Sequence, residues 1–426
     1  MSLVEKSPAK GSSLGPLPRL RLYSSPRLYG RTLYTAITGK TKRGDDVAVL
    51  EAEIRRRLGI KHGIAMPMAR VGIYLAVKHT IKPGQKVILS PYTIADVINM
   101  VICAGGIPTF ADIDRKTCNL DPKNVAPLID GDTGAVLVTH FYGQVADMPA
   151  LQRVCAPRGI PIIEDAAQAF GGRAGNWPAG TVGHAGIYSF GMYKNVNAFY
   201  GGMLVTDDDA LAQALRSEMA AWPYQSLRGL VAKMGAAVQI ELVTWPPVFR
   251  LFFFRLFRWA YLNQIDAIND RLKIDVDPKL KTSLPESYQS QLTPLQARLI
   301  LSQLAKVDDH AASRLESARL YYQGLADIEE LIVAPLCEDR QHIYWYYPIQ
   351  HADRRALVSH VMRAGRDITP SYHKNCAALP CFSQFARSCP NAQATADQLI
   401  YLPTYPRYAK AEVAKTVRAI RSFFGR

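Results

Sequence analysis

The stretch Ile162-Ile-Glu-Asp-Ala-Ala-Gln-Ala-Phe-Gly-Gly172 decides the fold. A short apolar run leads into the paired carboxylates Glu164 and Asp165, and small residues and glycines follow. That is the signature of a buried strand ending at a turn. Similar short apolar runs lie on both sides: Lys86-Val-Ile-Leu, Ala135-Val-Leu-Val, Gly186-Ile-Tyr-Ser and Met203-Leu-Val. Helix-like stretches separate them, among them Val47 to Leu58, Gly72 to His79 and Ala95 to Cys103. Buried strands alternating with helices from about residue 60 to 206 predict an α/β domain with a mainly parallel mixed sheet flanked by helices. Ligands of such folds gather at the carboxyl ends of the strands, where Asp165 sits.

The remainder divides the chain. Residues 1–30 are rich in Ser, Pro, Arg and Lys and read as a flexible basic tail. The large domain then runs over 31–285 and carries a hydrophobic insert at about 225–285. A smaller α+β domain takes 286–426, with a helical pattern from Thr293 to Leu304 and a strand-like Ile343-Tyr-Trp-Tyr-Tyr-Pro-Ile349. The chain has 426 residues, 48% of them hydrophobic, enough for two cores and too many for a disordered protein. Lys and Arg outnumber Asp and Glu by 51 to 36. The excess is spread out, with no basic block, no zinc-finger or other metal-ligand spacing and no aromatic RNA-binding signature. Nucleic acid is therefore disfavoured, and phosphorylated small molecules or an anionic membrane suit the charge better. Seven cysteines, an odd number with no CxxC and no signal peptide ahead of them, point to reduced thiols in the cytoplasm.

Two segments carry chemistry. Asp165 at a strand end can pair with a cationic ring nitrogen, with Gln168 placed to touch the same ring; a helix N-cap is the bland alternative. In Ile187-Tyr-Ser-Phe-Gly-Met-Tyr-Lys-Asn195 a strand ends at Ser189 and a polar turn presents Lys194. Imine chemistry needs a neutral amine, so desolvation or neighbouring cations must lower that lysine's pKa. Ser189 offers a hydroxyl to a phosphate. An exposed loop lysine is the ordinary alternative.

These two segments resemble the DegT/DnrJ/StrS family of sugar aminotransferases, fold-type I pyridoxal-phosphate enzymes. The family pairs an E-D-A-A-Q-like run with a Ser-Phe-x-x-x-Lys-Asn run; here the matching positions are Asp165, Gln168, Ser189 and Lys194. Further likeness lies in Val87-Ile-Leu-Ser-Pro-Tyr-Thr-Ile94, Ala104-Gly-Gly-Ile-Pro-Thr-Phe-Ala-Asp-Ile-Asp114, Thr139-His-Phe-Tyr-Gly-Gln-Val-Ala-Asp-Met148, Leu292-Thr-Pro-Leu-Gln-Ala-Arg-Leu299 and Leu402-Pro-Thr-Tyr-Pro406. The resemblance implies pyridoxal 5'-phosphate bonded to Lys194, with Asp165 on the pyridine nitrogen. It implies a transaminase that takes nitrogen from an amino acid, glutamate, and gives it to a keto group on a nucleotide-linked sugar, as in polysaccharide biosynthesis. It also implies a homodimer. Some family members replace the lysine by His and run a dehydration; Lys194 favours transamination.

The departures concern the cofactor's rim. Where the family has Gly-Thr or Ala-Thr at the start of an early helix, this chain has Met68-Ala-Arg-Val-Gly72. Ala69 still offers a backbone N–H, and Arg70 is a candidate to replace the lost hydroxyl. Ile94 stands where the family places a ring-stacking aromatic, with Tyr92 nearby. Tyr200-Gly-Gly replaces Glu-Gly-Gly, and Gln289-Ser-Gln291 replaces Asn-x-Arg. His373 and Tyr142 are candidates for the substrate side.

The insert is unusual. Placed on a helix, Arg250, Arg255 and Arg258 of residues 245–262 fall within an arc of about 140°, with Phe252, Phe253, Leu256, Phe257 and Trp259 on the other. One reading is a helix lying in a membrane's headgroup layer, peripheral on the inner face; the other is a packed helix at a dimer contact or over the site. Pro246, Pro247 and the arginines argue against a span. The membrane reading would bring a lipid-linked or membrane-delivered substrate. A non-catalytic relative kept for regulation or interaction is the rival in another class, and Asp165, Gln168, Ser189 and Lys194 together oppose it.

Overall fold

A computed structural model describes residues 15–22, 26–38, 44–265, 277–337 and 340–426. After helices α1 (Pro26–Ile37) and α2 (Asp46–Leu58), the chain alternates strand and helix: β1 (His62–Met66), α3 (Ala69–Thr80), β2 (Lys86–Leu89), β3 (Tyr92–Thr93), α4 (Ala95–Cys103), β4 (Ile107–Phe110), α5 (Pro122–Val125), β5 (Thr133–Thr139), α6 (Met148–Cys155) and β6 (Ile162–Asp165). A small hairpin, β7 (Arg173–Ala174) and β8 (Trp177–Pro178), precedes β9 (Ala185–Ser189) and β10 (Gly202–Thr206). Seven strands form one sheet in the order β1-β10-β9-β6-β5-β2-β4. Only β10 runs against its neighbours. All seven residues of β5 are buried, because helices cover both faces. Its side chains alternate between two cores: Ala135 and Leu137 pack with Val87 and Ile163, while Val136 and Val138 pack with Ile88 and Ile162.

The helices obey the same logic. In α2 the residues Leu50, Ile54 and Leu58 are buried four apart, and Gly59 ends the helix in the left-handed conformation at φ 67°. The carboxyl ends of β1, β2, β5, β6 and β9 open onto one edge of the sheet.

The second sheet has four strands in the order β11 (Ile332–Val333), β13 (Tyr347–Gln350), β16 (Leu399–Leu402) and β14 (Thr369–Pro370). Helices Val307–Leu325, Arg354–Arg363 and Lys410–Phe423 contribute to its core. Two short strands stitch the halves together: β12 (Arg340–Gln341) pairs with β7, and β15 (Lys374–Asn375) pairs with β3.

Three expectations change. The helix Pro294–Leu304, capped by Thr293, was expected within the small domain from residue 286. Its Leu295, Leu299, Ile300 and Leu304 instead pack on the large-domain core with Leu50 and Ile54. The small-domain core begins with the next helix. Second, the tail over 1–30 is not free throughout. Residues 15–22 lie as a strap: Arg19 pairs with Asp367 at 2.7 Å, Pro18 accepts a bond from the Tyr405 hydroxyl, and Leu22 is buried. The Asp367 side chain is 1% exposed and needs a cation, so a basic segment that reads as solvated is recruited into packing. Residues 1–14 and 23–25 of that tail lie outside the described residues. Third, the insert forms α8 (Leu227–Val243), a turn α9 (Pro246–Val248), a π-helical turn Phe249–Phe253 and α10 (Phe254–Leu262), with α7 (Asp209–Met219) before them. The π turn breaks the regular phase. Phe249, Phe254 and Ala260 face inward, while Arg255 shares the outer face with Phe252, Leu256 and Trp259. Residues 266–276 of the insert are outside the described residues.

Candidate active site

The strand β6 separates its two carboxylates by simple alternation. Glu164 points to one face, where it accepts backbone N–H bonds from Gly180, Val182 and Gly183 and meets His140 Nε2 at 2.8 Å. Asp165 points to the other. Its Oδ1 accepts the Ala167 N–H at 3.0 Å, which closes a turn rather than capping a helix, and among the described residues its Oδ2 receives only the Thr139 hydroxyl at 3.4 Å. Burial raises the pKa of Asp165; the Ala167 N–H and the charges of Lys194 and His140 oppose that rise.

Lys194 stands across from it. The turn after β9 is closed by the Lys194 N–H on the Gly191 carbonyl at 2.9 Å. The amine lies 4.4 Å from the centre of the Trp345 ring, whose indole N–H is anchored on the Tyr193 carbonyl. Desolvation lowers the lysine to about 8, Asp165 works against that shift, and the Arg70 charge adds to it. The amine is thus held by its surroundings nearer its neutral form, as imine chemistry requires.

An anion cradle lies at the same edge of the sheet. Gly202 pairs with Ser189 on one side and with Met66 on the other. A Cβ at Gly202 would come within 2.9 Å of the Ala69 nitrogen, so only glycine lets β10 approach the start of α3 this closely. That helix has no side-chain cap, and it starts beside Gly202, the strand partner of Ser189. Ser189 Oγ accepts the Gly191 N–H at 3.3 Å.

Gln168 joins the site to a buried hydroxyl cluster. Its Oε1 accepts the Tyr142 N–H at 2.8 Å, which leaves its amide NH2 for another partner. The Tyr142 hydroxyl bonds those of Tyr92 at 2.8 Å and Tyr401 at 3.1 Å, and Tyr92 also reaches Ser371 at 2.9 Å. His373 Nδ1 lies 2.6 Å from the Tyr401 hydroxyl. Burial pushes His373 down to about 3, with the charge of Lys194 adding to the fall, so it is a neutral imidazole. A cleft lined by Thr93, Ile94, Ala95, Tyr372 and His373 opens beside this cluster. On the other side of Trp345, a small cavity is walled by Arg19, Tyr193, Arg314 and Tyr346.

The structure therefore brings Asp165, Gln168, Ser189, Lys194 and Ala69 to one edge. Arg70 is nearby, but its guanidinium is engaged by Asp96 and by Tyr288 at 3.1 Å, and Lys281 binds the same Asp96. Tyr92 is wholly buried, its ring 5.0 Å from that of Phe141. It supports the cluster under the cleft, and Ile94 lines the cleft itself. Gln291 spends its amide on the carbonyls of Met219, Ala220 and Trp222 within its own chain. Sequence reasoning missed Thr139 and Trp345; the first sits at the end of a recognised strand, while the second comes from the distant aromatic run.

Pyridoxal phosphate fits the donor set. A buried carboxylate with one under-used oxygen suits a ring N–H. An uncapped helix start beside a serine and an obligatory glycine suits a phosphate. Ala69 supplies no hydroxyl and Ile94 no ring at this rim.

A doubly covered sheet with a second small sheet, a lysine after one strand and a carboxylate after its neighbour define a fold-type I transferase. The solved sugar aminotransferase CalS13 from Micromonospora echinospora has the same fold, with a TM-score of 0.75 at 22% identity over 95% of this chain and 99% of that one. The model of the DegT/DnrJ/EryC1/StrS aminotransferase family matches residues 32–230 and 272–421, and the chain belongs to that family. Among curated relatives, the spore coat polysaccharide biosynthesis protein SpsC of Bacillus subtilis (strain 168) is 28% identical over 410 residues, 91% of this chain and 92% of that protein. The GDP-perosamine synthase of Caulobacter vibrioides is 24% identical over 420 residues, 96% and 99% of the two chains. The unmatched stretch 231–271 contains most of the insert.

Proposed function

We propose that this aminotransferase uses pyridoxal phosphate on Lys194 to move an amino group from glutamate to a keto group of a nucleotide-linked sugar, working as a homodimer. The observation that carries the reading is the facing pair: Lys194, its pKa lowered to about 8, and the buried Asp165 at adjoining strand ends. When bound, the cofactor supplies an aldehyde and an electron-withdrawing pyridine ring. Asp165 would hold the ring nitrogen protonated, Gln168 would touch the ring, and Ser189 with the first N–H groups of α3 would hold the phosphate. Arg70 contributes charge to this end while engaged with Asp96. The Lys194 amine would act as the general base that takes the proton from the donor's α-carbon, and as the acid that later delivers a proton to the former keto carbon of the acceptor. Neutral His373, which lines the cleft, would orient the acceptor; the Tyr142 hydroxyl is buried beneath it and bonded to Tyr92 and Tyr401, so it would support the His373 ring rather than touch substrate, and Trp345 keeps water from the amine.

The nucleotide-sugar assignment is supported by the name of the GDP-perosamine synthase relative and by the chain's +15 charge. The outward apolar face of the insert favours a second reading, a lipid-linked ketone used at the inner membrane face. Half-reactions with glutamate, followed by nucleotide-linked or lipid-linked keto-sugars, separate the two.

Borohydride reduction of the cofactor-loaded protein should leave a phosphopyridoxyl group on residue 194 alone, found by peptide mass mapping. Lys194→Ala should lose the label and slow the half-reaction by about 10³-fold or more. A label elsewhere, or none, would overturn the assignment. Sedimentation equilibrium returning the mass of one chain would remove the homodimer.

A further inference from the structure

Fifteen large hydrophobic side chains are exposed among the described residues, and eight of them lie between Val231 and Trp259. Phe252 is 66% exposed, Leu242 60% and Trp259 53%. The inner side of this run is already satisfied. Phe249, Phe254 and Ala260 are buried, and α10 rests on the helix Arg354–Arg363. A helix apolar on its outer face as well as its inner one must have something covering it.

Charge chooses the cover. Residues 242–265 contain Arg250, Arg255 and Arg258 and no carboxylate. Glu241, just before them, faces Arg21 at 3.3 Å. Arg255 is exposed on the outer face, while at the start of the helix beneath α10 Asp353 and Arg355 are both exposed and offset one another. A second copy meeting this face about a two-fold axis would set Arg255 against its twin, with no carboxylate on α10 to relieve the repulsion. A layer of anionic headgroups is complementary to Arg255. Exposed Trp245 and Trp259 beside Phe and Leu suit the zone between headgroups and acyl chains. Among the described residues no helix is long and apolar enough to cross a membrane, so the contact is one of lying on the surface.

We infer that the run from α8 to α10 docks this chain on an anionic bilayer surface, with Phe252, Leu256 and Trp259 at the acyl boundary and Arg255 at the lipid phosphates. The inference stands on this face alone, whichever ketone the enzyme takes.

The test uses the full-length, cofactor-loaded protein with phosphatidylcholine vesicles, with and without phosphatidylglycerol. The protein should pellet with the mixed vesicles, its tryptophan emission should shift to the blue, and high salt should release it. Arg255→Ala should weaken partitioning about fivefold, and Phe252→Glu with Trp259→Glu should abolish it. All variants should keep the wild-type melting temperature and the spectral change with glutamate. Failure to pellet with anionic vesicles would overturn the inference, as would equal binding to phosphatidylcholine alone. So would a double variant that still binds vesicles while falling from dimer to monomer, since the face would then be a contact between copies.

Discussion

Lys194 and Asp165 are shifted in opposite senses by the same burial, and the signs give a pH dependence. The lysine falls from 10.5 to about 8 in the folded chain. Between pH 8 and 10.5 the unfolded state therefore binds more protons there, and this group's contribution to stability rises with pH across that window. It is least favourable below 8, where a charged amine must be kept in an apolar place. Asp165, raised by burial, has the reverse slope at acid pH: its contribution falls as pH rises through its unfolded value and on to its folded one. The same shift governs reactivity. Capture of added pyridoxal phosphate by cofactor-free protein should increase between pH 7 and 9, with a midpoint near 8, as followed by absorbance. A midpoint near that of a solvated lysine would show that Trp345 and its neighbours do not exclude water. That Asp165 and Ser189 end strands, with Gln168 and Lys194 in the turns that follow, was legible in the sequence because each strand is a short apolar run with a clear stop. Trp345 was not, because no local pattern says that a side chain of the second half will lie over an amine of the first.

At the level of elements, α4 and β2 coincide with the sequence reading, since their apolar spacing is regular from end to end. Two irregularities defeated it. The aromatic run from Ile343 reads as one strand, yet pairing begins only at Tyr347. Tyr344 adopts φ 41°, which turns the chain away from the sheet and delivers Trp345 to Lys194. The π turn at Phe249–Phe253 likewise rotates the side chains after it away from the faces a regular helix would give them. The contact between β10 and α3 makes a sharper prediction. Gly202→Ala puts a methyl group against the Ala69 nitrogen and the Tyr188 carbonyl oxygen, each 2.9 Å away. It should cost about 1–3 kcal/mol in urea unfolding and weaken cofactor retention, measured by fluorescence titration. Gly235→Ala in the middle of α8 meets nothing within 4 Å and serves as the control, stabilising by about 0.5–1 kcal/mol.

For the molecule as a whole, the order of layers was readable and the boundary between halves was not. The helix Pro294–Leu304 has an apolar face that either core could accept; the proximity of α2 settles which. The strap was hidden for a related reason, since an arginine gives no sign in sequence of the aspartate it will meet far along the chain. Arg19→Ala should cost about 2 kcal/mol by urea unfolding, less than a fully broken buried pair because the Arg19 backbone N–H still reaches Asp367 at 2.7 Å. It should also let trypsin cut at Arg21 sooner. Unchanged stability would mean that water replaces the guanidinium without loss.

The strap touches the insert as well: Gly15 lies against Arg250, and Arg21 against Glu241. It also walls the cavity next to Trp345. A purification handle or reporter fused ahead of residue 15 would thus pull on a segment one side chain removed from the Lys194 amine. A reporter attached behind the helix Lys410–Phe423, at the exposed Arg426, would leave that segment untouched.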